Sequence, residues 1–281
     1  MKKVGVVGCG LMGSGIVQVC AQSGYDVVTS EINDELLKKG LGLIDASLTK
    51  GIEKGKVTRE EKEAIIGRIK GITNMQDFSD CNLVIEAAVE KIDIKKSICA
   101  ELDKFCPKDT ILATNSSCLS VIDIASATKR QEKVLGIHFF NPAPVMKLVE
   151  VVRSVATSEE TLNIGKRFAE SLKKTVVLVP DVPGFIVNRL LLPFLADAMR
   201  MLESGVATRE DIDNGVVLGL GHPMGPLALA DFVGNDTNLF ILDSMYEVTK
   251  DPRCIAPVIL RKMVAAGYLG RKTGKGFYDY K

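Results

Sequence analysis

Val4-Gly5-Val6-Val7-Gly8-Cys9-Gly10-Leu11-Met12-Gly13-Ser14-Gly15-Ile16 is the stretch whose reading decides the fold. Val4 to Val7 is a short apolar run of the kind that forms a buried first strand, and the chain from about Met12 to Ala21 reads as an apolar helix. Between them lie glycines at GxGxxG spacing. Gly8 permits the tight turn out of the strand, Gly10 lets the backbone approach a pyrophosphate without a Cβ in the way, and Gly13 lets the helix pack close to the sheet. The helix N-terminus turns free N–H groups and a partial positive charge toward phosphates, so Gly8, Gly10, Leu11, Met12 and Gly13 are the expected cofactor loop. A second strand, Val27 to Thr29, delivers Glu31 eighteen positions after Gly13. The glycine spacing alone would be weak. Strand, loop, helix and acid together predict a dinucleotide site.

Glu31 narrows the cofactor. A carboxylate there accepts hydrogen bonds from both ribose hydroxyls of the adenosine half and repels a 2′-phosphate, which favours NAD(H) over NADP(H). The nearest basic residues, Lys38 and Lys39, lie further along a helical stretch and offer no obvious phosphate clamp. The bland alternative is a solvated acid at a strand end.

Alternating strands and helices continue as far as Val179. Asn33 to about Gly71 is a long charged helical excursion, and Thr58-Arg59-Glu60-Glu61 has the form of a capping box that starts its second helix. Strands are expected at 83–87, 110–114, 134–139, 147–152 and 175–179, with helices at 92–105, 119–127 and 159–172. This predicts an α/β class: a Rossmann-type, doubly wound, mostly parallel sheet over residues 1–183. The pattern changes at Pro180-Asp181-Val182-Pro183-Gly184, and residues 184–281 read as all-helical. The first of those helices, 185–203, is apolar over most of its surface, which points to both deep burial and a subunit interface and hence to a homodimer or higher homo-oligomer through this domain; Pro193 should kink it.

Composition narrows the function class. At 281 residues two domains are expected, and a net charge of +1 gives no electrostatic footprint for nucleic acid or an anionic membrane. No stretch reaches the length of a membrane span, and the N-terminus enters strand one directly. Seven scattered cysteines read as reduced and mostly buried in a cytoplasmic protein, and with only two histidines no metal site is expected.

The chemistry-bearing segment is Asn115 to Glu150. Ligands of open α/β sheets bind outside the carboxyl ends of the strands, where Asn115-Ser116-Ser117 and His138 both fall. Glu150 sits between Val149 and Val151, and a carboxylate in so apolar a run needs a partner. An imidazole is the obvious one, a lysine or arginine the alternative. Oxidising a secondary alcohol requires a base for the hydroxyl proton, and a histidine oriented by a carboxylate supplies it. His222 is the rival base, but Gly221-His222-Pro223-Met224-Gly225 reads as a surface turn.

These residues resemble the L-3-hydroxyacyl-CoA dehydrogenase family, in particular its bacterial 3-hydroxybutyryl-CoA dehydrogenases. The resemblance runs from Gly8–Ile16 through Glu86-Ala87-Ala88-Val89-Glu90, Asn115-Ser116-Ser117 and His138-Phe139-Phe140-Asn141-Pro142. It continues through Pro183-Gly184-Phe185-Ile186-Val187-Asn188-Arg189 and Gly225-Pro226 to Gly270–Tyr278. It implies that His138 is the general base, Glu150 its orienting partner, and Ser117 and Asn188 the groups that hold the substrate 3-oxygen. It places Glu31, Ala87, Glu90, Lys95, Asn115, Asn141 and Lys275 along the cofactor cleft, and Ser47 and Lys54 against the CoA moiety. One departure is Glu31, where the family often has aspartate; the longer arm still reaches the ribose but leaves cofactor selectivity less fixed. The reaction implied is NAD-dependent interconversion of (S)-3-hydroxybutyryl-CoA and acetoacetyl-CoA, with the helical domain expected to close over the sheet domain about Pro180–Gly184. The rivals are a dehydrogenase for a small free 3-hydroxy acid, which generally uses a lysine, and a non-enzymatic NADH-binding module.

Overall fold

The computed structural model describes residues 1–280; Lys281, the last position of the expected second domain, lies outside them. The chain divides into two compact units, Met1–Val182 and Pro183–Lys281. In the first unit an eight-stranded sheet has the order β3-β2-β1-β4-β5-β6-β7-β8. The strands are β1 (Lys3–Val7), β2 (Asp26–Ser30), β3 (Ile69–Ile72), β4 (Leu83–Glu86), β5 (Ile111–Thr114), β6 (Val134–Phe139), β7 (Leu148–Arg153) and β8 (Thr175–Pro180). The helices between them are α1 (Leu11–Gln22), α2 (Asp34–Glu53), α3 (Arg59–Gly67), α4 (Ile92–Phe105), α5 (Val121–Ala125) and α6 (Glu159–Ser171). Strands β4, β5 and β6 are buried along their whole length, as continuous Val/Ile/Leu runs covered on both faces by helices must be.

The first six strands pair in parallel, and β1 lies between β2 and β4. The chain leaves β1 for one side of the sheet and returns on the other, which opens a crevice at the carboxyl ends of β1 and β4. Parallel direction also puts the residues that follow β1, β2, β4, β5 and β6 on one edge. These are Gly8, Glu31, Ala87, Asn115 and Phe140. Strand β7 then runs antiparallel to β6, and β8 is parallel to β7.

Local sequence explains most boundaries. Thr58 closes the capping box of α3, its side chain accepting from the Glu61 N–H while the Glu61 carboxylate accepts from the Thr58 N–H. Two of the differences from expectation have a clear local cause. The helical excursion expected over residues 33–71 ends before β3, which is a four-residue strand. Ile69-Lys70-Gly71-Ile72 has little strand signal of its own, and its pairing with β2 at the sheet edge supplies the order.

The second unit holds five α-helices among the described residues: α7 (Val187–Glu203), α8 (Arg209–Leu220), α9 (Pro226–Val233), α10 (Asn235–Thr249) and α11 (Val258–Ala265). Helix α7 starts two residues later than expected because Gly184 and Phe185 both take positive φ, 76° and 49°, after Pro183. It runs on through Pro193 without ending there. It buries Leu192, Leu195, Ala196, Ala198 and Met199 and leaves Leu190 exposed, so only one face of this apolar helix is covered within the chain. No helix among the described residues is long and apolar enough to cross a membrane.

Candidate active site

The loop after β1 is built for a ligand that needs bare backbone. Gly8 has φ 93°, and its N–H donates to the Ser30 carbonyl at 2.9 Å. A Cβ at Gly13 would lie 1.8 Å from the Gly8 carbonyl oxygen, so the close approach is between the first turn of α1 and its own loop. A Cβ at Gly10 would meet nothing within 4 Å; that space lies open. Gly10 is the N-cap of α1, with no side-chain cap and no acid in the first turn, which leaves the helix start suited to an anion. Leu11 is exposed and Met12 half-buried beside it. Glu31 closes the loop from below: its Oε1 accepts from the Cys9 N–H at 2.6 Å, and its Oε2 from the Ile32 N–H at 3.3 Å. The carboxylate is thus fixed beside the glycines, at the edge where an adenosine ribose would lie.

The loops after β4 and β5 are tied to each other by buried charge. Glu86 (0% exposed) and Lys95 (1%) form an ion pair at 2.8 Å, and the Lys95 ammonium also meets Glu90 at 3.1 Å. Glu90 Oε1 accepts from the Ser116 hydroxyl at 2.5 Å and the Ser117 N–H at 2.8 Å. Burial opposes charge on Glu90, but attraction to Lys95 and the hydrogen bonds from Ser116 and Ser117 outweigh it and hold the carboxyl below its ordinary range. Lys95 likewise loses by burial and gains more from Glu86 and Glu90, so its ammonium is held above its ordinary value. Asn115 joins this loop to the next strand, its side-chain oxygen accepting from the Phe139 N–H at 2.9 Å.

His138 lies opposite Glu150 in the antiparallel β6–β7 register. Residues directly opposite in such a pair share a face of the sheet, so the two side chains meet. His138 Nδ1 is 2.7 Å from Glu150 Oε2, with the side chains 6% and 1% exposed. A carboxylate there makes Nδ1 the donor and leaves Nε2 as the acceptor nitrogen of the neutral ring. The Phe140 ring packs against the imidazole at 4.6 Å between centroids. Asn141 is exposed at the start of the following turn, which Lys174 braces by donating to the Ala143 and Met146 carbonyls at 2.6 and 2.7 Å.

The remaining expected residues are spread over α2, the loop after β4 and the second unit. Ser47 is exposed on α2 and Lys54 is exposed at its C-cap, seven positions on, so two helical turns bring them to one side of the excursion. Ala87 and Glu90 are half-buried in the loop after β4. Asn188 and Lys275 belong to the second unit: Asn188 is buried in α7, and Lys275 is exposed, with its ammonium over the Tyr268 ring at 4.3 Å. His222 is exposed in its turn beside Phe194.

The sequence reading overlooked three residues. Glu86 ends an apolar strand just as Glu150 sits within one, and the same question about its partner would have exposed it. Asp231 pins the tail, accepting from the Phe277 and Tyr278 N–H groups and the Tyr280 hydroxyl, and Lys174 braces the turn after Asn141. No local pattern signals either of these, because their partners are distant in sequence.

With this geometry in hand, comparison with known proteins decides the family. Residues 3–182 match the 3-hydroxyacyl-CoA dehydrogenase NAD binding domain, and residues 184–280 match the 3-hydroxyacyl-CoA dehydrogenase C-terminal domain. The chain belongs to the 3-hydroxyacyl-CoA dehydrogenase family. It is 46% identical to the 3-hydroxybutyryl-CoA dehydrogenase of Clostridioides difficile over 278 residues, 99% of each chain. It is also 46% identical to that of Mycobacterium tuberculosis over 282 residues, 100% of this chain and 99% of the other. Among solved structures, the (S)-3-hydroxybutyryl-CoA dehydrogenase of Ralstonia eutropha superposes with a TM-score of 0.96 at 42% identity, covering 100% of this chain and 99% of that one. This 3-hydroxyacyl-CoA dehydrogenase is therefore an oxidoreductase that uses NAD(H), with the glycine loop in its NAD-binding domain.

The two glycines should separate folding from cofactor binding. Gly10→Ala should keep the melting midpoint within about 2 °C while raising the NADH Kd about tenfold or more, read by fluorescence titration. Gly13→Ala should destabilise the domain outright, because its Cβ has no room.

Proposed function

We propose that this dehydrogenase interconverts (S)-3-hydroxybutyryl-CoA and acetoacetyl-CoA, with His138 as general base and acid and Glu150 as its orienting partner. The observation that carries the reading is the buried 2.7 Å contact between His138 Nδ1 and Glu150 Oε2. It commits Nε2 to accept the 3-hydroxyl proton in oxidation and to return it to the 3-oxygen in reduction. Glu150 stabilises the imidazolium formed in between, which in so dry a place would otherwise be costly. The Ser117 hydroxyl holds the substrate 3-oxygen.

The residues present fit NAD(H). The open space at Gly10 suits a pyrophosphate, and the fixed Glu31 carboxylate suits a ribose diol and opposes a 2′-phosphate. Glu31, Ala87, Glu90, Lys95, Asn115 and Asn141 complete the cleft in this reading. When bound, the nicotinamide supplies the hydride acceptor or donor. Ser47 and Lys54 on the α2–α3 excursion hold the CoA moiety, a need that a free hydroxy acid would not create. The exposed apolar residues Leu190, Leu218, Leu220 and Val206 of the second unit support a homodimer formed through it. The buried cysteines, none in a disulfide among the described residues, suit a cytoplasmic protein.

Steady-state assays test the reading. Acetoacetyl-CoA with NADH should turn over far faster than acetoacetate, or than the same thioester with NADPH. His138→Ala should lower kcat about a thousandfold with little change in NADH affinity. Wild-type turnover by that variant, or a preference for free acetoacetate, would overturn it. Light scattering should give a mass near twice the 30.4 kDa of one chain, and a monomer would remove the dimer.

A further inference from the structure

Glu86 takes no part in the chemistry described so far, yet it is fully buried and both of its carboxylate oxygens are engaged. Its Oε1 accepts from the Ala88 N–H at 2.7 Å and from Lys95 at 2.8 Å. Its Oε2 accepts from Lys95 at 3.0 Å and from the Thr114 hydroxyl at 2.8 Å. Two arms leave this group. Through Lys95 it reaches Glu90, whose Oε1 takes the Ser116 hydroxyl and the Ser117 N–H and lies 3.4 Å from the Cys118 N–H. Through Thr114 it reaches the Ser116 N–H, which donates to the threonine oxygen at 3.2 Å. Both arms end on one turn, residues 116–118.

A purely structural ion pair would need only Glu86 and Lys95 to satisfy each other's burial. Here a second carboxylate is drawn in, and two carboxylates against one ammonium leave a net negative charge beside the turn. That charge is spent on N–H and O–H donors of the turn, and such charge-assisted bonds are shorter and stronger than neutral ones. Asn115 then carries the same turn to the Phe139 N–H, next to His138. The path from Glu86 to the imidazole strand is continuous.

We propose that Glu86 is a positioning residue for Ser117, acting through Lys95, Glu90 and Thr114 to set where the serine hydroxyl stands relative to His138. The inference deepens the reading above, since it takes Ser117 as a donor to the substrate 3-oxygen. Glu86 does not touch substrate; it fixes the frame of a residue that does. Lys95 and Glu90 hold each other in their charged forms, the Lys95 ammonium above its ordinary value and the Glu90 carboxyl below its own, while the bonds from Lys95 and Thr114 hold Glu86 in place.

The test is a double-mutant cycle on kcat with acetoacetyl-CoA and saturating NADH. Glu86→Gln strips a charge from a buried ion pair and can cost the fold, so Thr114→Val, which leaves the ions intact, is the primary variant. Folding is checked by circular dichroism. Thr114→Val should lower kcat by about 10- to 100-fold, the loss that misplacing a reacting group by up to an ångström produces. Ser117→Ala should lose at least as much, and the double variant should lose no more than Ser117→Ala alone, because the network has nothing left to position. Glu86→Gln, where folded, should behave like Thr114→Val. Losses that multiply in the double variant, or wild-type kcat in Thr114→Val, overturn the proposal while leaving the function standing. Wild-type kcat in Ser117→Ala removes the serine from the reaction and the proposal with it.

Discussion

The contact between His138 and Glu150 is the constraint around which the sheet domain is organised. A carboxylate with no exposed surface must be paired, and a cross-strand imidazole pairs it at 2.7 Å. That pairing requires β7 to run antiparallel to β6, in the register that sets residue 150 opposite residue 138. A slip of one residue would turn Glu150 to the other face of the sheet and leave it buried alone. The single reversal of direction in an otherwise parallel arrangement is thus tied to the chemistry proposed for the site.

Much of this was legible in the sequence, and where it was legible the reason is local. The glycine loop, the acid after β2 and the capping box of α3 are each set by neighbours within a few residues, so their spacing carries the structure. His138 was marked by its place at a strand end and Glu150 by its apolar flanks. Their contact was an inference from charge burial that left lysine or arginine open as partners; only the register shows the imidazole there. Edge strand β3 was missed because Lys70 and Gly71 give it no alternating pattern, and β2 imposes its order. The buried ion cluster of Glu86, Lys95 and Glu90 was missed as a unit for another reason. Its members sit on a strand end, a loop and a helix, and only folding brings their charges together.

Two kinds of rigidity meet at the carboxyl edge of the sheet. One is steric: Gly13 fits its loop so closely that any side chain is excluded, while Gly10 next to it leaves space open. The other is electrostatic: Glu31 fixes Cys9, and Glu90 fixes Ser116 and Ser117. Both hold loops that would otherwise be mobile connections, and both act on positions proposed to face cofactor or substrate. The catalytic reading rests on this preorganisation as much as on the identity of the base.

The most direct measurement is the tautomer of His138, read from its two imidazole nitrogens by nitrogen-15 NMR with the ring neutral. The chain has only two histidines, so a His222→Gln variant leaves a single imidazole to observe. The account predicts a proton fixed on Nδ1 and a deprotonated Nε2, with that preference lost in Glu150→Gln. A neutral ring protonated at Nε2 in the otherwise unchanged protein would contradict it, because the nitrogen assigned to accept the substrate proton would already carry one.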